Sequence, residues 1–317
     1  MFEFDTSQIN QTFIDLLADP SMAKEAAERG AEFLKLQIYE DSFMERIFPA
    51  KPISPAMCDR DTNSPNYRVV IDKEFRDVKA VTFTFRGRAD YDYVETDRYA
   101  VNFYKIESDE YEITEGELRG VRQPIANLIR HHIAYHIRKT MDTIFVGLCN
   151  KAVAASGQHL DLSAVPGSPN VITPEVLIRL FNQIDNSVGS GRGDQYLESK
   201  TLLMTRSMYN FINTWPQANT DGNVRGGLGT DFWRDGFKYD TLFGRRVVLT
   251  TKNDILPENE IFCFTDPEYL GHHFTFNDDR FAIERHFDRM KWKGWRTFGA
   301  AIGNNFAVAK LTLPALP

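Results

Sequence analysis

The sequence predicts an α+β protein with helices and strands segregated along the chain. Three observations carry this reading. Residues 1–48 and Pro124–Ala155 read as helical. Residues 67–108 and 273–313 are rich in Val, Phe, Tyr and Thr, the residues that favour a pleated surface. Residues 160–272 alternate short helical and strand-like runs, as a mixed unit does.

In chain order, Asp19-Pro20 reads as an N-cap followed by proline at the first helical position. Phe33, Leu34, Ile38, Phe43, Met44 and Ile47 then recur near a spacing of 3.6, although the first half of this helix is thinly apolar and needs a surface to lie on. Residues 49–65 are proline-rich and read as an irregular connector or extended arm. Val81, Phe83 and Phe85 alternate with Thr82 and Thr84, and "RYAVNFYKI" forms a second strand. Between them Arg86–Asp97 is charged and bears tyrosines, which predicts a long hairpin with a polar end. A two-stranded ribbon is marginal alone in water, so it is expected to rest on a neighbour. From Pro124 to Ala155 no further proline interrupts, and 32 residues at ~1.5 Å each give a helix of about 48 Å. Ile129, Ile133, Ile137, Met141, Ile144 and Leu148 fall on one arc of it, with His131, Arg138, Lys139 and Asp142 opposite. Thr173-Pro174 starts another helix, "KTLLMT" is a buried strand, and "RSMYNFINTW" is a helix stopped by Pro216. The Gly-, Asn- and Asp-rich stretch 217–236 is a long loop of the kind that carries function. "RRVVLTT", "EIFCFT" and the segments after residue 272 are strands.

Bulk properties narrow the function. At ~150 residues per domain, 317 residues suggest about two units. A net charge of −7 argues against a protein whose main task is gripping nucleic acid. Cys58, Cys149 and Cys263 are odd in number and widely spaced, which predicts buried thiols in a reducing compartment rather than a disulfide framework. "MFEFDTSQIN" has neither a basic nor an apolar leader region, so no secretory signal is expected. No run reaches the ~18 apolar residues that span a membrane.

The suggestive motifs have plainer readings. "RHHIAYHIRK" (130–139) holds three of the seven histidines, and His132 and His136 have the i, i+4 spacing that can chelate a metal. The metalloprotease pattern needs Glu after the first histidine, where Ile133 stands, so the flank of a packing helix is the favoured reading. "GSGRGD" (189–194) lacks the Lys-Ser/Thr of a phosphate loop and reads as a linker. "RGGLG" (225–229) reads as a contact loop. The acidic run Glu107, Asp109, Glu110, Glu112, Glu115, Glu117 lacks calcium-loop spacing and reads as solvated, or as a helix-preceding charge. "RMKWKGWR" (289–296) interleaves cations with Trp292 and Trp295 in the manner of a single-strand binding surface; a strand with one aromatic and one basic face is the favoured reading. There is no G-x-S-x-G, and Cys149 lies mid-helix among apolar residues as an inert thiol would. No catalytic residue, cofactor or resident metal is assigned.

The order of helical arm, connector, long hairpin, very long helix, α/β unit and closing strands resembles the tailed-bacteriophage major capsid proteins. The likeness is carried by "LFGRRVVLTTKNDILPENEIFCFTDPEYLG" (242–271), "FAIERHFD" (281–288) and "FGAAIGNNFAVAKLTL" (298–313). It implies the Hong Kong 97-like capsid fold, with an N-terminal arm (1–60), an extended hairpin loop (61–113), a peripheral domain with a long spine helix (114–159), an axial domain (160–272) and closing strands of the peripheral domain (273–317). It further implies self-assembly as pentamers and hexamers into an icosahedral virion head, built in the host bacterial cytoplasm around double-stranded DNA without sequence-specific binding. Scaffold, portal or decoration proteins are implied partners; a membrane is not. Arg86, Arg88, Asp90, Tyr91 and Tyr93 in the hairpin, with Arg225, Asp231 and Trp233 in the long loop, are the inter-subunit contact candidates. No lysine–asparagine pair here matches the isopeptide crosslink of certain family members. A cellular encapsulating shell of the same fold, and a metal-dependent hydrolase using His132 and His136, are the alternatives.

Overall fold

Strand β13 (Arg289–Ile302) is the axis of the larger of two sheets in the computed structural model, which describes residues 40–60, 67–74, 97–120, 125–163, 165, 167, 169–186, 197–214, 241–276 and 280–314. Ahead of it come helix α1 (Phe43–Ile47), β1 (Lys51–Pro52), β2 (Asp59–Arg60), β3 (Tyr67–Asp72), β4 (Arg98–Glu107), β5 (Tyr111–Thr114), α2 (Glu115–Gly120) and the long helix α3 (Ile125–Ser156). Then follow β6 (His159–Asp161), α4 (Pro174–Asp185), β7 (Thr201–Thr205), α5 (Arg206–Asn210), β8 (Thr241–Leu242), β9 (Arg245–Thr250), β10 (Glu260–Phe264), α6 (Pro267–Leu270), β11 (Gly271–Thr275) and β12 (Arg280–His286). Strand β14 (Val308–Thr312) comes after β13.

The first half of β13 pairs with β12 and β5, and its second half with β11 and β4. Beyond β4 the sheet continues to β3 and β2, and beyond β11 to β1. The smaller sheet runs β6–β14–β10–β7–β9–β8. The closing segment 273–317 therefore feeds both sheets, since β11–β13 lie in the larger and β14 in the smaller.

Alternation within the smaller sheet divides two cores. Leu203, Val248, Phe262 and Phe264 face α3 and the larger sheet, while Leu202, Met204, Val247, Ile261 and Cys263 face α4. Both faces being covered, "TLLMT" is buried at every position, as a continuous apolar strand should be. Helix α4 begins as its sequence predicts: Thr173 Oγ1 accepts the Val176 amide at 3.4 Å and Pro174 opens the first turn.

The long helix has the expected length, 32 residues, displaced by one position. Its buried face is wider than the arc read from the isoleucines. Ile133, Ala134, Ile137, Met141, Phe145 and Cys149 are buried, but so are Arg130, His131 and Asp142. His131 and Asp142, placed on the polar side by pattern, are inside because α1 and both sheets pack around the helix. At Gly294 of β13 a Cβ would stand 2.3 Å from Ile133 Cγ2, so the helix side chain packs straight onto the glycine and any larger residue would force a shift.

Other segments depart from their sequence reading. Within 40–48 only Phe43–Ile47 is helical, started by Ser42, whose Oγ accepts the Glu45 amide. The connector at 49–60 is not irregular throughout: β1, a 3-10 turn at Pro55–Met57 and β2 attach it to the larger sheet. "RSMYNFINTW" is helical for one turn, then 3-10 from Phe211 to Thr214. The expected strand at 81–85 and the helical stretch 1–39 lie outside the described residues.

On the larger sheet an aromatic row runs Tyr67, Phe276, Phe103, Phe274, His272, Tyr99. Phe103 and Phe276 stack at 4.3 Å, and Tyr99 Oη meets His272 Nδ1 at 2.5 Å. Cys149 and Cys263 are buried free thiols; burial pushes both up in pKa, Cys263 to about 12, so neither is a ready nucleophile.

Candidate assembly surfaces

The contact candidates fall on two stretches whose flanking elements the structure describes. Arg86, Arg88, Asp90, Tyr91 and Tyr93 lie outside the described residues, as do Arg225, Asp231 and Trp233. The stretch expected as a hairpin is flanked by β3 and β4, whose register runs from Arg68↔Asn102 to Asp72↔Arg98. The end of that pairing is fixed by an Asp72–Arg98 ion pair at 2.6 Å and by the Lys73 amide donating to Asp97 O at 2.7 Å. The stretch expected as a long loop is flanked by the 3-10 turn Phe211–Thr214 and by β8, which pairs with β9.

The segment 40–48 is tied down by a buried polar knot that pattern reading missed. Lys252 Nζ lies 2.6 Å from Asp142 Oδ2, with both side chains almost wholly buried (2% and 0% exposed). Asp142 Oδ1 accepts from Ser42 Oγ at 2.6 Å and from the Met44 amide at 3.0 Å. The ammonium also lies near the rings of Phe43 and Tyr135. Burial pushes the Asp142 carboxyl above the ordinary carboxylate range, against the pull of Lys252 and Ser42. Around this centre Arg138 binds Asp41 at 2.6 Å, and Glu40 accepts from the amide and hydroxyl of Thr251. Three distant stretches, 40–44, 135–142 and 250–252, are thus held at one point, where the chain preceding residue 40 enters the fold.

The acidic run and the tryptophan-rich basic stretch are each other's partners. The acidic run spans the end of β4, strand β5 and the start of α2, instead of merely preceding a helix. Glu112 pairs with Arg289 at 2.6 Å and Lys291 at 3.6 Å; Lys293 reaches Glu107 and Glu110; Arg285 reaches Glu115 at 2.8 Å. Lys105, followed by Lys293, holds the Glu107 carboxyl below the usual range, and Arg289 does the same for Glu112. The expected split into an aromatic and a basic face does not hold. Trp292 is buried, whereas Trp295 lies on the opposite face with Lys105 over its ring, and Arg296 points inward to Glu45 at 2.5 Å. With its lysines matched by carboxylates, this strand is poorly suited to grip a phosphate backbone.

His132 and His136 are exposed on α3, while His131 is buried. Among the described residues no group of three or more His, Cys, Asp or Glu side chains converges as metal ligands, and no helix is long and apolar enough to cross a membrane.

Comparison with solved structures gives likeness over almost the whole chain. A protein of Microbacterium phage Oxtober96 aligns with a TM-score of 0.62 at 10% identity, covering 87% of this chain and 92% of its own. The capsid of a native GTA particle computed with C5 symmetry aligns at 0.58 and 11% identity, covering 88% and 92%. The capsid of cyanophage P-SCSP1u aligns at 0.58 and 10% identity, covering 89% and 91%. The chain has the fold of the phage capsids. No protein-family model matches it, and no curated protein matches its sequence. The sequence signal that could have exposed the polar knot is Asp142 itself, a carboxylate immediately after Met141 and three residues before Phe145 on a helix of apolar stripe.

Proposed function

We propose that the chain is a major capsid protein, a structural subunit that assembles as pentamers and hexamers into an icosahedral phage head enclosing double-stranded DNA. The observation that carries this is the likeness in fold to phage capsids across nearly the entire length of both chains. In this reading residues 1–60 are the N-terminal arm, anchored by the knot at Asp142 and Lys252. Residues 61–113 hold the extended loop, whose exit β3 and β4 define. Helix α3 is the spine of the peripheral domain (114–159 and 273–317), and 160–272 is the axial domain. Arg86, Arg88, Asp90, Tyr91, Tyr93, Arg225, Asp231 and Trp233 are contact residues on the two projections. Rings form by heterologous contacts that close. No chemistry is required of the subunit in this reading.

Negative-stain microscopy with light scattering on the purified protein tests the reading. Uniform shells tens of nanometres across, or pentamers and hexamers, are the expected result. Nuclease-protected double-stranded DNA inside particles from infected cells marks a phage head, and enzyme cargo marks a cellular shell. A monomer or dimer under all conditions overturns the proposal.

A further inference from the structure

Strands β12 and β13 form a hairpin whose last paired residues are His286 and Arg289, so its loop is only Phe287–Asp288. Phe287 has φ 55°, in the left-handed region. Two-residue hairpin loops place glycine, asparagine or aspartate where φ is positive, because a side chain there crowds its own backbone. A phenylalanine at such a position is an outlier that the surroundings have to hold. Its ring is 85% exposed, more than any other large apolar side chain among the described residues, and it meets the exposed His286 edge-on at 4.7 Å. The fold itself gains little from this ring.

The tip is nonetheless held firmly. Arg285 binds Glu115 at 2.8 Å, Arg289 binds Glu112 at 2.6 Å, and the Glu115 amide donates to Asp288 O at 2.7 Å. These bonds fasten the hairpin end to the corner between β5 and α2. They also match Arg285 and Arg289 with carboxylates, and Asp288 adds a negative charge in the loop itself, so the tip offers no cationic surface for a nucleic-acid backbone. What it presents is an apolar aromatic ring on a pre-organised support, the kind of group that dominates protein–protein contacts and binds with little ordering cost.

We infer that Phe287 is an anchor through which one copy of the chain docks on another, its ring entering an apolar recess of the neighbouring subunit. The inference rests on the shell reading above, which surrounds every copy with others and makes a second copy the occupant.

The test uses the full chain in two forms. Phe287→Gly removes the ring and suits the backbone, so the subunit should fold with an unchanged melting temperature. It should need at least about tenfold more protein to form shells or capsomers. A benzophenone amino acid at position 287, irradiated, should give a covalent chain dimer in assembled material and none in dispersed subunits. Assembly of Phe287→Gly at the wild-type concentration overturns the inference, as does a crosslink to nucleic acid or to a different protein, or the absence of any dimer. Failure of the wild type to assemble at all sinks the shell reading instead, so the two outcomes are separable.

Discussion

Asp142 and Lys252 show how much a single pair of residues decides in this fold. Two charges are taken out of water, and their mutual attraction offsets that cost only because Ser42 and the Met44 amide occupy the other carboxylate oxygen. Lys252→Met should leave an uncompensated carboxylate and destabilise the protein by about 3–5 kcal/mol in urea unfolding. Adding Asp142→Leu should recover much of that loss, and equal stability for the two variants would contradict the buried pairing. The knot was illegible in sequence for a physical reason. Periodicity ranks residues by polarity, and a paired buried carboxylate looks like a surface one until its partner is known. That partner is 110 residues away. Phe287 escaped notice for a related reason: one aromatic in "HFD" carries no periodic signal, and only its backbone angle and exposure set it apart.

Elements with strong local chemistry were legible. Helix α4 carries its own cap, β7 its unbroken apolar run, and α3 its freedom from proline. Strand pairing was not, because alternation says which residues share a face and nothing about which strand lies alongside. The acidic run thus read as a solvated stretch, and the basic one as a possible nucleic-acid surface, until β5 and β13 were seen side by side. At this scale the hairpin is the element to remove. Deleting Asp77–Thr96 spares the paired strands β3 and β4 down to Asp72↔Arg98, so the subunit should remain folded and soluble. It should no longer form shells by negative stain, and intact shells from the deletion would refute the hairpin's role.

Across the whole molecule, buried histidines set a response to acid. Burial lowers the pKa of His273, which Phe48 O contacts through Nδ1 at 2.7 Å, and likewise those of His131 and His272. An unfolded histidine titrates near about 6.5. Below that value the unfolded chain takes up protons that the folded chain refuses until a lower pH, so stability falls with pH. The melting temperature should drop from about pH 7 to about pH 5, and His273→Gln should show a shallower drop. A flat wild-type profile would contradict the burial of these rings. The placement of β13 and β14 has a different consequence, one for biosynthesis. Strand β13 joins β4, β5, β11 and β12, and β14 alone links β6 to β10. Among the described elements both come last in chain order, so they are made after the strands they join. Until they are made, β2–β3–β4 and β9–β7–β10 can pair among themselves but nothing joins β4 to β11 or β6 to β10, and such non-local contacts make folding slow. A copy that stops short of β13 therefore leaves the larger sheet in separate pieces, β2–β3–β4 and β1–β11, and β6 cut off from β10, so it cannot present the finished surface that a repeating assembly needs.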